Sequence, residues 1–110
     1  MTMTAGSNLE KVFRAGHKAV TCECGPPRGA DAEHFRKKAA YLKGYGDAVN
    51  VTDNQTAVVR FCSMAASKIL LEMGLEPVMQ MVTRDMNRIG LQSNVLGAAA
   101  MGIKNLLCLT

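Results

Sequence analysis

Residues 77–109, PVMQMVTRDMNRIGLQSNVLGAAAMGIKNLLCL, carry the pattern that decides the fold. Pro77–Val82 and Asn105–Leu109 are short apolar runs, which is typical of buried strands. Between them, the segment from about Asn87 to Met101 is predicted to be helical, and Gly102 suits its C-terminus. A strand, a helix and a second strand in this order predict a right-handed βαβ unit with parallel strands.

The same unit recurs in the preceding residues. A capping box at Ser7 and Glu10 opens a first predicted helix that ends at Gly16. The remaining predicted elements are strands at Ala19–Glu23 and Ala48–Thr52 and helices at 31–43 and 57–73.

The spacing of these units is regular, because Val20, Val49, Val78 and Leu107 follow one another at equal intervals. Alternating strands and helices predict an α/β fold with a parallel sheet, either an open sheet or a (β/α)8 barrel. No strand is followed by a glycine-rich phosphate-binding motif, and the repeat is uniform, so the barrel is favoured.

The length of 110 residues is about half of what a complete barrel of about 250 residues needs. We therefore expect residues 1–110 to form the N-terminal part, about four βα units, of a single (β/α)8 TIM barrel domain. The last strand would otherwise present an unpaired apolar edge. The chain is thus expected to be truncated and to continue beyond Thr110, or to be completed by a partner chain.

Composition excludes several classes of protein. The net charge of +4 comes from scattered basic residues, and 5% of the residues are aromatic, which does not favour a nucleic-acid interface. No apolar run is long enough to cross a bilayer, and no secretory signal is recognised. These features favour a cytoplasmic protein.

The four cysteines are expected to be reduced. Cys22 and Cys24 share one strand face and could pair as metal ligands, but burial is the better interpretation because no further ligand lies nearby in sequence. Cys62 is predicted on the apolar stripe of its helix, and Cys108 on the inward side of the last strand. No metal site is predicted.

Alternation along the strands selects the candidate site residues. The apolar faces should meet the helices, so Glu23, Thr52 and Gln80 should point into the barrel. They lie toward the carboxyl ends of their strands, where barrel active sites are found. A carboxyl group among apolar neighbours can serve as a general acid, which makes Glu23 the candidate catalytic residue. A salt bridge or a capping role is the alternative for this carboxylate.

Four stretches of the sequence resemble the methylenetetrahydrofolate reductase family. They cover the first strand and its loop, the second strand and its loop, the loop after the third strand, and the fourth strand: Thr21–Gly29 (TCECGPPRG), Val49–Asn54 (VNVTDN), Thr83–Arg88 (TRDMNR) and Asn105–Thr110 (NLLCLT). The resemblance covers nearly all of residues 7–110, and it is the combination of the four stretches that is specific.

The resemblance implies a flavoprotein of folate and one-carbon metabolism, with a link to methionine biosynthesis. Its barrel would hold FAD and transfer hydride from reduced flavin to methylenetetrahydrofolate, giving methyltetrahydrofolate. Glu23 matches the glutamate that binds the folate, protonates one of its nitrogens and opens its five-membered ring to an iminium. Thr52 matches a threonine that contacts the flavin.

Two further positions depart from the family pattern. Gln80 stands where many members have a flavin-contacting histidine, and Thr110 stands where some have an arginine. The electron donor would be a nicotinamide nucleotide or a redox partner protein, and the enzyme is expected to be an oligomer. The 110 residues alone are expected to be inactive.

Two other functions remain open at this point. One is a barrel methyltransferase that uses methyltetrahydrofolate, which needs the same fold but no flavin. The other is a non-catalytic half-barrel that associates with another chain through its sheet edge.

Overall fold

A computed structural model of the protein describes residues 2 and 4–110. Four strands alternate with helices along these residues. In chain order the elements are α1 (Asn8–Arg14), β1 (Thr21–Glu23), α2 (Ala32–Ala40), β2 (Ala48–Val51), a short 3₁₀ turn (Gln55–Ala57), α3 (Ser63–Glu72), β3 (Pro77–Val82), α4 (Arg88–Ala100) and β4 (Asn105–Leu109).

The strands form one parallel sheet in the order β1-β2-β3-β4, which confirms the predicted α/β class with four parallel strands. Each strand pairs with the next one along the chain, as in a βα barrel. The partner of Val49 in β1 is Cys22 and not Val20, and the partner of Val78 in β4 is Asn105 and not Leu107. The equally spaced apolar residues therefore do not mark equivalent positions in the four strands, because they are not partners in the sheet.

The core lies between the sheet and the helices. Val49 and Val51 of β2 are buried against Phe35 of α2 and Leu70 of α3. A second cluster places Met79 and Met81 of β3 with Ala98 and Ile103 at the end of α4. Odd-numbered residues of β2 and β3 thus face the helices, as alternation predicts, and the even-numbered ones face the barrel interior.

The predicted helix over 57–73 is wrong at its start, because α3 begins only at Ser63. Asn54, Thr56 and Ala57 have φ values of 44°, 59° and 58°. These are left-handed conformations, which cannot continue into a right-handed helix. The apolar and polar periodicity of the segment does not reveal this turn.

Two cysteines and one valine also differ from their predicted positions. Cys62 precedes α3 and is exposed instead of lying on a buried stripe. Cys108 pairs with Met81, so it lies on the helix-facing side of β4 and not inside the barrel. Val20 lies before β1 and is exposed, and its N–H group donates to the Asp47 carboxylate.

Helix α1 lies across the amino-terminal end of the sheet. The Glu76 carboxylate accepts from the N–H groups of Asn8 (2.6 Å) and Leu9 (2.8 Å). The Ser7 hydroxyl caps the same helix by accepting from Glu10, while the Glu10 carboxylate accepts from Ala5 and Gly6. The hydrogen bond from Ala5 is the main cause that lowers the pKa of Glu10. The predicted capping box is therefore half formed, since Glu10 does not return to Ser7.

Replacing Glu76 by Gln is expected to destabilise the protein by about 1–2 kcal/mol, because the amide has no negative charge for the helix N-terminus and its NH₂ group would face a backbone donor. Denaturant unfolding monitored by circular dichroism measures the loss, and Glu72→Gln, on an exposed side chain at the end of α3, is the control. Equal stability of the two variants would show that α1 is held by other contacts.

Candidate active site

The carboxyl-terminal end of the sheet carries the only charged side chain found in the four strands described, that of Glu23. It is the last residue of β1, and its side chain is exposed. None of the ion pairs among residues 2 and 4–110 includes it. The interpretation of Glu23 as a salt-bridge residue therefore finds no support in the described part of the chain.

The neighbour of Glu23 on the inner face is Asn50, which the sequence analysis did not select. The two residues are partners in the register of β1 and β2. Asn50 is half-buried, and its side-chain Nδ2 donates to the Cys22 carbonyl at 3.4 Å. Strand register was the missing information, since alternation alone places Asn50 on the inner face without showing what lies beside it.

Thr52 and Gln80 lie one row further toward the mouth. Val51 pairs with Met79, and continuing this register by one residue puts Thr52 beside Gln80. The three residues predicted to point into the barrel therefore share the inner face and the same end of the sheet but not one row. In a barrel with a shear of eight, neighbouring strands at equal height are offset by about one residue. Gln80, two strands away from Glu23, then belongs to the same layer of inward side chains.

Thr52 is buried, with 5% of its surface exposed, and its hydroxyl has no hydrogen-bond partner among the described residues. The backbone of Gly25 lies against it, because a Cβ atom built on Gly25 would stand 3.1 Å from Thr52 Oγ1. A larger residue at position 25 would crowd this hydroxyl. The site thus contains a polar group whose hydrogen bond is unsatisfied.

Three loops form the rim of the site and are tied to each other. The Arg60 guanidinium donates to the Pro26 carbonyl at 3.2 Å, and the Phe61 N–H group donates to the Pro27 carbonyl at 3.0 Å. These contacts join the β2–α3 loop to the proline-containing loop after β1. The β2–α3 loop adopts this arrangement with three residues in the left-handed conformation, which is energetically unfavourable for residues other than glycine.

The loop after β3 is joined in the same way. The Asp53 carboxylate accepts from the Val82 N–H group, and Arg84 donates to the Asn54 carbonyl at 3.1 Å. Arg84 also forms a bidentate salt bridge with Asp85. Its hydrogen bonds lower the pKa of the Asp85 carboxyl group and raise the pKa of Arg84. Arg84 therefore links the loop after β3 to the loop after β2.

Thr110 follows β4 directly and is exposed at the same end of the sheet. The carboxyl-terminal part of the inner face of β4 is apolar, since Leu107 pairs with Gln80 and Leu109 pairs with Val82, whereas Asn105 lies at its amino-terminal end. The described site is therefore a polar strip over β1, β2 and β3 beside an apolar surface on β4. It combines a carboxyl group, amide groups and a hydroxyl with an adjacent apolar surface.

Four parallel strands that pair in chain order and alternate with helices define part of a βα barrel, and the Glu23 carboxylate lies at the carboxyl end of this sheet. The model of the methylenetetrahydrofolate reductase family matches residues 8–110, and the chain belongs to that family. Membership supports a folate-related oxidoreductase at this coarse level. No curated protein sequence matches the chain significantly. Among the residues described, no helix is long and apolar enough to span a membrane.

Proposed function

We propose that the complete protein reduces methylenetetrahydrofolate to methyltetrahydrofolate and that Glu23 is its general acid. The observation that carries the proposal is Glu23 itself. It is the sole charged side chain in the described strands, lies at the carboxyl end of the sheet and makes no ion pair among the described residues. A carboxyl group in this state is available to a substrate, whereas a paired one would have to be released first.

Glu23 would bind the folate and donate its proton to a nitrogen of the five-membered ring. Protonation turns that nitrogen into a leaving group, the C–N bond breaks and an iminium forms on the substrate. The carbon of this iminium is the hydride acceptor, and Glu23 is left as a carboxylate. Reduced FAD, when bound, supplies the hydride for such a reaction.

The residues present fit a flavin at the mouth. Thr52 has a buried, unsatisfied hydroxyl against the backbone of Gly25, and Gln80 offers an amide in the neighbouring strand. Thr110 lies at the end of the next strand, where its hydroxyl could add a contact. We assign Thr52, Gln80 and Thr110 to cofactor binding.

Replacing Thr52 by Val separates the effect of the hydroxyl on protein stability from its proposed effect on FAD binding. Without FAD, Thr52→Val is expected to be more stable than the parent by about 1 kcal/mol, because an unsatisfied buried hydroxyl is removed. With FAD, its dissociation constant is expected to rise about tenfold, since one hydrogen bond is lost. Denaturant unfolding and quenching of flavin fluorescence measure the two effects.

The control for this variant is Thr21→Val, on an exposed threonine of the same inner face. It should change neither quantity by a comparable amount. FAD binding by Thr52→Val that is as tight as in the parent protein would remove Thr52 from the cofactor site.

The domain is proposed to be completed by further parallel strands. β4 is the edge of the sheet, and Leu106, Leu107 and Leu109 in it are 38%, 41% and 39% exposed. An apolar edge of this kind is a site for pairing with another strand. The 110 residues alone are accordingly proposed to be inactive, and the closed, oligomeric form to be the enzyme. The four unpaired cysteines favour a reducing, cytoplasmic environment.

The direct test uses the complete barrel loaded with FAD and reduced anaerobically. Methylenetetrahydrofolate is expected to reoxidise the flavin, and chromatography should show methyltetrahydrofolate as the product. Reduction by a nicotinamide nucleotide or by a redox protein in the same cuvette identifies the donor. A complete barrel that binds no flavin and transfers a methyl group from methyltetrahydrofolate would replace the reductase by the methyltransferase.

A further inference from the structure

We propose that the outer face of α4 is the contact through which two copies of the complete protein pair. Ile89 and Leu96 are its central residues, and they are 74% and 72% exposed. Proteins usually bury side chains of this type, and a group of them on one surface marks a place where another surface is bound. The contact is independent of the proposed reaction, because it lies in the helix layer and not at the carboxyl-terminal end of the sheet.

Both side chains point away from the barrel. Ala98 is fully buried and marks the inner side of α4, where it packs with Met79 and Met81 of β3. With about 100° of rotation per residue, Ile89 lies about 180° from Ala98 around the helix, and Leu96 lies about 160° from it. The inner side faces the sheet, so the side that carries Ile89 and Leu96 faces outward.

Further helices of the barrel would not cover this side. Gly97 lies on the flank of α4 toward α3, because a Cβ atom built on it would stand 3.6 Å from the Met64 sulphur. Val95 is about 160° from Gly97 around the helix and therefore lies on the other flank. A helix that follows β4 would pack on that flank and cover Val95. Ile89 and Leu96 would stay exposed in a closed barrel.

The two preceding helices have charged outer faces. Opposite their buried residues, α2 presents Glu33 and Lys37, and α3 presents Lys68 and Glu72. Such groups lose their hydration when another surface covers them, which is unfavourable. In α4, every residue after Arg88 is uncharged. Of these three helices, α4 is therefore the one whose outer face can be covered without desolvating a charge.

A second copy fits this face. The 110 residues carry a net charge of +4, so two copies approach each other most favourably where neither surface is charged. Two-fold symmetry brings the same face of each copy together. When two α4 helices pair antiparallel around Gln92 and Ser93, Ile89 of each copy meets Leu96 of the other. The small side chains of Ser93 and Ala100 let the two helices come close.

Sedimentation equilibrium of the complete barrel measures the pairing, over a protein concentration of about 0.1 to 100 µM. The parent protein is expected to dimerise within this range, because one helix from each copy gives a contact at the small end of specific interfaces. Leu96→Lys is expected to raise the dissociation constant at least about 100-fold, since two positive charges then meet in place of an apolar contact. Tyr41→Lys is the matched control on an exposed side chain at the end of α2, and it should leave the constant unchanged.

A cysteine near the symmetry axis tests the contact without adding a charge to it. Ser93→Cys is expected to form a disulfide between two copies on oxidation with diamide, because the new thiol meets its own counterpart across the axis. Lys68→Cys places a thiol on the outer face of α3 and should stay unlinked. Both variants keep the four native cysteines, so these contribute equally to the background.

A parent protein that stays monomeric, or equal dissociation constants for the parent and a Leu96→Lys protein with the same circular dichroism spectrum, would overturn the proposed pairing. Equal cross-linking of Ser93→Cys and Lys68→Cys would overturn it as well. Flavin reoxidation by methylenetetrahydrofolate is measured on the same samples. A reactive monomer would leave the proposed reaction in place without the α4 contact, and an unreactive dimer that Leu96→Lys dissociates would leave the contact in place without the reaction.

Discussion

A complete barrel that carries Glu23→Gln is expected to reduce methylenetetrahydrofolate about 10³-fold more slowly than the parent protein, because the glutamine amide can bind the folate but cannot donate a proton at neutral pH. The ring-opening step thereby loses its acid. Reduction of the flavin by the electron donor needs no such proton and should keep its rate. Stopped-flow absorbance of the two half-reactions separates these effects.

The control for this prediction is Glu33→Gln. Glu33 is an exposed carboxylate in the first turn of α2, where it lies 3.7 Å from Arg36 on the protein surface. Glu33→Gln should lower the rate of neither half-reaction. If Glu23→Gln retains the folate half-reaction at the parent rate, the acid lies elsewhere and Glu23 becomes a binding residue at most.

The two strands nearest the C-terminus were predicted to the residue, and the reason is local. Pro77–Val82 and Asn105–Leu109 are apolar runs with sharp boundaries, and Gly102 ends the helix between them with a φ of 86°. The β2–α3 loop was mispredicted because tertiary contacts determine it. Arg60 and Phe61 bind carbonyl groups of the loop after β1, which a periodicity in residues 57–73 does not encode.

The sequence predicted which face of the sheet carries the candidate site. It did not predict which residues are neighbours across that face. Alternation placed Glu23 and Gln80 inside the barrel, and their inward position agrees with the register. Which residue stands beside Glu23 depends on the register of β1 and β2. Pairing Val20 with Val49, as the equal valine spacing suggested, would put Thr52 beside Glu23. The observed partner of Val49 is Cys22, and this register places Asn50 there instead.

The rim of the site is coupled to the core through two aromatic rings. Phe35 of α2 is fully buried, and its ring packs on that of Phe61, with 5.6 Å between the centroids and 51° between the planes. The Phe61 N–H group in turn donates to Pro27. The loop that follows Glu23 therefore depends on a side chain at the centre of the core.

Replacing Phe35 by Ala is expected to cost about 3–5 kcal/mol in the free energy of unfolding, a large share of the stability of a small domain. The cavity also removes the support of Phe61, so amide exchange at Phe61, whose N–H bonds Pro27, should accelerate beyond what the global loss explains. Tyr41→Ala is the control, because this aromatic follows the same helix but is 82% exposed. It should cost less than about 0.5 kcal/mol. Phe35→Ala with parent-like exchange at Phe61 after correction for global stability would show that the Arg60 contact alone holds the rim.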